Sequence, residues 1–296
     1  MIALPFFETF SHLGAWGRLL GFFLALPYFA ILNSSTGNGQ TLGKRLMHLQ
    51  VVDKNGATIS FWRSVIRYGV FAVPYYLNDV LLPATRTPWA VSTLFSLLIF
   101  GVFGATLYLV LFNRHTRQGV HDLAVGSYVA DADKGGPLKT EPLWKIHRVI
   151  LGSLLIVLSI GSLILDNKLS KSGPFPQLLE DVRIVETMRS VQAAGVQDLN
   201  WSKWGGGEKK TILIVNVHWT GNPAEEQAFA DQVAKLIIEH DSKVKEHDFL
   251  RVVMIRGYDI GIAHAQVSHA FEHTPAEWNA RLFGASPAEG TAPAKL

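Results

Sequence analysis

Gly39-Gln40-Thr41-Leu42-Gly43-Lys44-Arg45 is the stretch that comes nearest to a known chemistry, because Gly43-Lys44 is how a phosphate-binding loop closes. Such a loop needs glycine where Asn38 stands and a hydroxyl side chain where Arg45 stands. No buried apolar strand precedes it, so nucleotide binding is set aside. His264, His269 and His273 suggest zinc, but their spacing does not put all three on one strand face, where side chains alternate. His269 and His273 are four apart with Glu272 beside His273, but no helix is expected there to put them on one face. The sequence favours polar strand-end histidines. Trp201, Trp204 and Trp219 flank an expected hairpin and could form a ligand platform or interfacial anchors, with sheet packing as the default. There is no Ser-His-Asp order, no pair of carboxylates at helical spacing and no glycine-rich nucleotide loop. The sequence therefore predicts no enzyme, no cofactor and no metal.

The elements that carry these residues are set by hydrophobicity. From Pro88 to Asn113 no side chain is charged, and Leu, Phe and Val dominate. A bilayer core about 30 Å thick needs roughly 20 apolar residues to cross as a helix. The chain of 296 residues is 48% hydrophobic and only 17% charged, against about 25% charged in soluble domains. Its net charge of +3 gives no reason to invoke nucleic acid. The absence of cysteine excludes disulfides, thiolate zinc sites and thiol nucleophiles.

Four spanning segments are expected, at about Leu13–Leu32, Trp62–Leu82, Trp89–Phe112 and Ile146–Leu165. The first is short and must borrow from the Trp16–Arg18 turn, with Arg18 snorkelling to an interface. No Lys or Arg precedes Arg18, which argues against a cleaved signal peptide. Residues 33–62 carry Lys44, Arg45 and Lys54, and residues 113–147 carry Arg114, Arg117, Lys134, Lys139 and Lys145. The connection at 83–88 carries only Arg86. Positive loops stay in the cytoplasm, so the N-terminus and everything after Leu165 are expected outside. Lys44 and Arg45 are then placed to meet anionic headgroups, at roughly 1 kcal/mol each. Leu49–Val52 reads as a short interfacial strand closed by the turn Asp53-Lys54-Asn55-Gly56.

Taken together, the Gly39–Arg45 run, Val51-Val52-Asp53 with Gly56, the helix start at Arg63 and Arg67, and Arg117-Gln118-Gly119-Val120-His121-Asp122-Leu123-Ala124-Val125-Gly126 resemble the RDD family of bacterial multi-pass membrane proteins. The likeness covers about residues 16–130. It implies a helical membrane domain; a few members are reported to exchange Na⁺ or Li⁺ for protons, and others are treated as scaffolds or assembly factors. His121-Asp122 matches the last family aspartate. The family's leading helix, with its arginine and first aspartate, is expected to have no counterpart: Leu13–Leu32 resembles the second helix, and Ala25 stands where the resemblance implies an acid. Either Met1 is an internal start or this branch lost that helix. The candidate functional residues are Gly39, Gln40, Thr41, Gly43, Lys44, Arg45, Arg67, Asp79, His121 and Asp122. For Asp122 the alternatives are a cation or proton site and a structural pair with Arg114, Arg117 or His121, and the pair is favoured.

Beyond a tether at 167–177, residues 178–285 read as an extracytoplasmic α+β domain. Expected are a helix at Leu178–Ala193, strands at Val196–Trp204 and Lys209–Trp219 joined by Gly205–Glu208, and a helix at Pro223–Glu246. A long strand at Phe249–Val267 and a helix at Pro275–Phe283 follow. This order suggests a small antiparallel sheet with helices on one face. Residues 286–296 read as a disordered tail. The expected whole is a multi-pass protein of the bacterial inner membrane, with the membrane domain at 1–166. Its expected partners are the lipid bilayer, a protein or envelope component bound through 178–285, and further copies of itself. Its expected role is that of a non-enzymatic anchor or assembly protein; the alternative is cation/proton exchange through Arg67, Asp79 and Asp122.

Overall fold

The computed structural model describes residues 6–78, 80, 82–83, 87–169, 171, 173–202 and 209–284. Asp79, Arg86, Trp204, the Gly205–Glu208 turn and the 286–296 tail lie outside the described residues. The N-terminal half is built from helices α1 (Phe7–Ser11), α2 (Gly17–Leu32), α3 (Leu42–Leu46) and α4 (Phe61–Leu77), followed by α5 (Trp89–Phe112). A short helix α6 (Val120–Val125) and the long α7 (Lys145–Leu169) complete it. α5 contains a π-helical turn at Leu97–Gly101.

Two helices are long and apolar enough to cross a membrane, Trp89–Phe112 and Lys145–Ile164 of α7. Only 17% and 6% of their apolar windows are buried, so neither is the core helix of a water-soluble fold. Phe100, Phe103, Val149 and Val157 point away from the protein, which suits hydrocarbon and not water. Gly101 is buried and its Cα faces the Leu155 side chain, so the small residues of α5 serve as a packing notch for α7.

α2 and α4 are shorter than expected. A 3₁₀ turn (Gly14–Trp16) replaces the start of the first segment, and α4 stops at Leu77 rather than Leu82. The two run antiparallel, joined by Phe22, Phe29, Tyr68 and Tyr76 through stacked and edge-on ring contacts. Ser60 caps α4 through a hydrogen bond from the Arg63 amide.

Leu49–Val52 forms β1 as expected, but it is not alone. It pairs antiparallel with β2 (Tyr128–Asp131), from the loop after α6. The two basic loops are thus one small structure.

The C-terminal half has helices α8 (Phe175–Glu186), α9 (Glu226–His240) and α10 (Pro275–Phe283). Its strands are β3 (Val191–Ser202), β4 (Lys209–Trp219), β5 (Phe249–Asp259) and β6 (His264–His273), in the spatial order β3-β4-β5-β6. The tether is shorter than expected, because α7 runs to Leu169 and α8 starts at Phe175. Helix α8 ends at Glu186, and residues 191–193 belong to β3. α9 is likewise shorter, with 3₁₀ turns at Pro223–Glu225 and Ser242–Glu246 on either side.

Two features of the expected sheet are corrected. Phe249–Val267 is not one strand: Gly261, at φ +77, turns the chain, and the Asp259 carboxylate accepts from its amide at 2.6 Å. The sheet is mixed rather than antiparallel, because β4 and β5 run parallel. α9 is the crossover between them, and parallel neighbours need such a connection. Alternate residues of β4 and β5 (Leu213, Val215, Val217; Leu250, Val252, Met254) face Val185, Val233, Ile237 and Trp278 in one core. At the N-terminus of α10, Thr274 and Glu277 form a reciprocal capping box.

Candidate functional site

The residues singled out in the two basic loops converge at one end of the α2–α4 pair. The loop after α2 is held by backbone turns: Asn38 and Gly39 take positive φ (57° and 65°), and the Gly39 carbonyl accepts from Val51 N at 2.8 Å. Gln40 Nε2 donates to the Leu49 carbonyl at 3.0 Å. Gly39 and Gln40 therefore dock β1. Thr41 is buried just before α3, while Gly43 and Arg45 are exposed on it. Lys44 turns inward, and its Nζ donates to Asn33 Oδ1 at the end of α2, at 2.8 Å. Lys44 and Arg45 therefore differ: Lys44 is part-buried and reaches back to α2, and Arg45 is exposed.

From α4, Arg67 is buried, and its Nε donates to Asp122 Oδ1 at 2.8 Å and to Ser127 Oγ at 3.2 Å. Ser127 Oγ donates to the same carboxylate oxygen at 2.8 Å, and Gln118 Nε2 holds the Ser127 carbonyl at 2.7 Å. His121 Nε2 lies 3.1 Å from Asp122 Oδ2. One turn earlier on α4, Arg63 donates to the Val125 and Gly126 carbonyls at the C-terminus of α6, where a cation offsets the helix dipole. Gly119 permits this packing, since a Cβ there would come 2.7 Å from the His121 ring and 2.9 Å from Thr106.

The electrostatics follow from this geometry. Burial works against charge on Asp122, but the His121 hydrogen bond and the Arg67 guanidinium outweigh it and hold the carboxyl at about 2. Lys44 is pulled down to about 8 by burial and by repulsion from Arg67, with Asp122 opposing weakly. Asp122 thus pairs with Arg67 and His121, not with Arg114 or Arg117. Sequence reasoning missed Asn33, Gln118 and Ser127. Gln118 and Ser127 lie in or directly after the family motif, and Asn33 is the first polar residue after an apolar run, yet each role depends on a partner distant in sequence.

The other candidates do not assemble. His269 Nδ1 lies 2.8 Å from Glu226, His273 packs edge-on against Trp278, and His264 is exposed at the start of β6. Among the described residues no group of three or more His, Asp or Glu is placed to hold a metal ion. Trp219 is buried against Phe229, whereas Trp201 is half-exposed at the far end of the β3–β4 ladder. These two make no shared platform.

The opposite end of the α2–α4 pair carries the sheet domain. Arg18 donates through Nε and Nη2 to Asp259 at 2.9 and 2.6 Å, and through Nη1 to the Tyr75 carbonyl at 2.8 Å. Tyr75 OH donates to the Gly261 carbonyl at 2.5 Å. Gly21 of α2 faces the Ile260 carbonyl so closely that a Cβ would lie 1.7 Å from it. Arg256 pairs with Glu8, and Phe7 and Phe10 pack edge-on to Tyr258.

Residues 1–126 match the model of the RDD family, so the chain carries an RDD-family region over that span. No curated protein and no solved structure matches the chain.

Proposed function

We propose that the chain is a multi-pass protein of a bacterial inner membrane that crosses four times, with its sheet domain outside as a non-enzymatic interaction module. The membrane half serves as anchor, and residues 178–285 engage a protein or envelope partner. The observation that carries this reading is the fixed seat of the β5–β6 turn on Arg18, Gly21 and Tyr75. A domain held by a charged pair, hydrogen bonds and ring contacts presents its surface in one orientation, which lowers the ordering cost of binding a partner.

The layout is supported by where the charges fall. The Lys44–Arg67–Asp122 cluster and the β1–β2 pair occupy one end of α2 and α4, and the sheet domain occupies the other. Helices of 16 and 17 residues are about 25 Å long, short of a bilayer core of about 30 Å. Arg18 at the start of α2 then reaches an interface, where a charge is tolerated, whereas Arg67, almost two turns into α4, is neutralised by Asp122.

Cation/proton exchange is the competing reading. It needs an available carboxylate near membrane depth, and Asp122 is already engaged by Arg67, Ser127 and His121. Two experiments decide. A periplasm-active reporter fused to the C-terminus should signal and a cytosol-active one should not; the reverse overturns the layout. Asp122→Asn should leave proton flux in inverted vesicles unchanged by Na⁺ or Li⁺, as in wild type. A cation-dependent flux that this substitution abolishes in a folded, inserted protein would establish exchange instead.

A further inference from the structure

Phe29 and Asn33 of α2, Lys44 of α3, Arg67, Tyr68 and Phe71 of α4, and His121 of α6 enclose a cavity of about 170 Å³. That is roughly ten times the space one ordered water requires. Lys44 and Arg67 are among its lining residues, and no carboxylate is. Asp122, just behind, has Oδ1 engaged by Arg67 and Ser127 and Oδ2 against His121. Among the described residues Lys44 Nζ donates to a neutral amide oxygen, that of Asn33. Among the described residues the hydrogen bonds of Arg67 leave from Nε, which keeps the outer edge of its guanidinium for another acceptor.

Two cations beside one committed anion leave an excess of positive charge in a place where Arg67 and Asp122 are buried and Lys44 is part-buried. Such an excess is costly unless a counter-charge arrives from outside the chain. We infer that this cavity is a binding site for a phosphate-type oxyanion, held between Lys44 Nζ and the outer edge of the Arg67 guanidinium. A guanidinium edge and an ammonium offer several charge-assisted donors to a tetrahedral group with several acceptor oxygens. Burial first and repulsion from Arg67 second lower the pKa of Lys44, and an anion here would relieve the second. Phe29, Tyr68 and Phe71 supply aromatic walls that suit the carbon portion of an esterified phosphate. The site lies at the far end of α2 and α4 from the sheet domain, so it stands or falls independently of the partner-binding role. The phosphate has two sources, the headgroup of an anionic lipid or the free ion.

The full-length protein, purified in a neutral maltoside detergent, separates the two. Its thermal unfolding midpoint is followed while inorganic phosphate or short-chain phosphatidylglycerol is added at constant ionic strength. At least one ligand should raise the midpoint saturably. A response to phosphatidylglycerol alone assigns the lipid headgroup, and a response to inorganic phosphate assigns the free ion. Lys44→Gln should weaken that response about 10-fold, the equivalent of one charge-assisted contact, and Lys44→Arg should restore most of it. Arg45→Gln, which removes the same charge from the exposed neighbour, should change it less than twofold. No saturable response in wild type overturns the site, as do equal losses in the Lys44 and Arg45 variants.

Discussion

Both ends of the α2–α4 pair are closed by an arginine and an aspartate, and the two pairs are built for different purposes. At the Arg67–Asp122 end both side chains are almost fully enclosed, 10% and 7% exposed, and Ser127, Gln118 and His121 complete the network. At the Arg18–Asp259 end the arginine is as hidden, at 11%, but the aspartate is 40% exposed and belongs to another part of the fold. The first is an internal weld between α4 and α6. The second is a contact between a helix bundle and a separately cored domain, assisted by Gly21 and Tyr75. Burial shields both partners of the first pair from water, whereas the second keeps a carboxylate that water reaches.

The largest effect should come from Arg67→Leu, which strands a buried carboxylate and should cost about 3–5 kcal/mol, read as a lowered unfolding midpoint in detergent. Combining it with Asp122→Leu should recover most of that loss, because removing both charges of a buried pair is nearly neutral. If the double variant is no better than the single, the network matters more than the pair. At the other end, Gly21→Val should push the Ile260 carbonyl away, with a penalty of about 1–3 kcal/mol for overpacking. The chain has no native cysteine, so cysteines placed at Tyr75 and Ile262 can be bridged by a short linker. That bridge should form efficiently alone and poorly beside Gly21→Val.

The two halves should also answer pH with opposite sign. Asp122 has its carboxyl lowered from 3.8 to about 2, so its contribution is present above about 4 and disappears as pH falls through about 2. Asp181 in α8 is buried with Oδ2 unbonded, and burial raises it to about 6, with Gln177 opposing and Asp241 assisting. Its contribution is complete below about 4 and lost as pH rises through about 6. Asp181→Asn should flatten the sheet domain's stability between pH 4 and 7, followed by hydrogen exchange in α8. The smallest effect should be Arg18→Ala, about 1 kcal/mol or less for a part-exposed pair, and it should shrink further in salt.

Particular elements show where the sequence was legible. Pro275–Phe283 came through unchanged because Thr274, Pro275 and Glu277 write a local start signal. The α5 segment did so because a long uncharged run has few alternatives. By contrast, Phe249–Val267 read as one strand because two strands of a hairpin both alternate, and the turn at Ile260-Gly261 interrupts them only briefly. The parallel β4–β5 pairing was hidden because a strand's own pattern does not say which way its neighbour runs. In the candidate site, Lys44, Arg67 and Asp122 could be named from motif and charge, but not their arrangement.

The sequence by itself determined the two long apolar helices, the basic loops, the RDD-type motif and the bounds of β1, α5, β4 and α10, because these depend on contacts within a few turns of chain. Only the tertiary structure decided that Lys44 turns in to Asn33 while Arg45 stays out, that Asp122 takes Arg67, and that Asp259 reaches back to Arg18. Those choices join residues 11, 55 and 241 positions apart. At such separations no local preference operates, and the partner is whichever group the packing of apolar faces leaves within hydrogen-bonding distance.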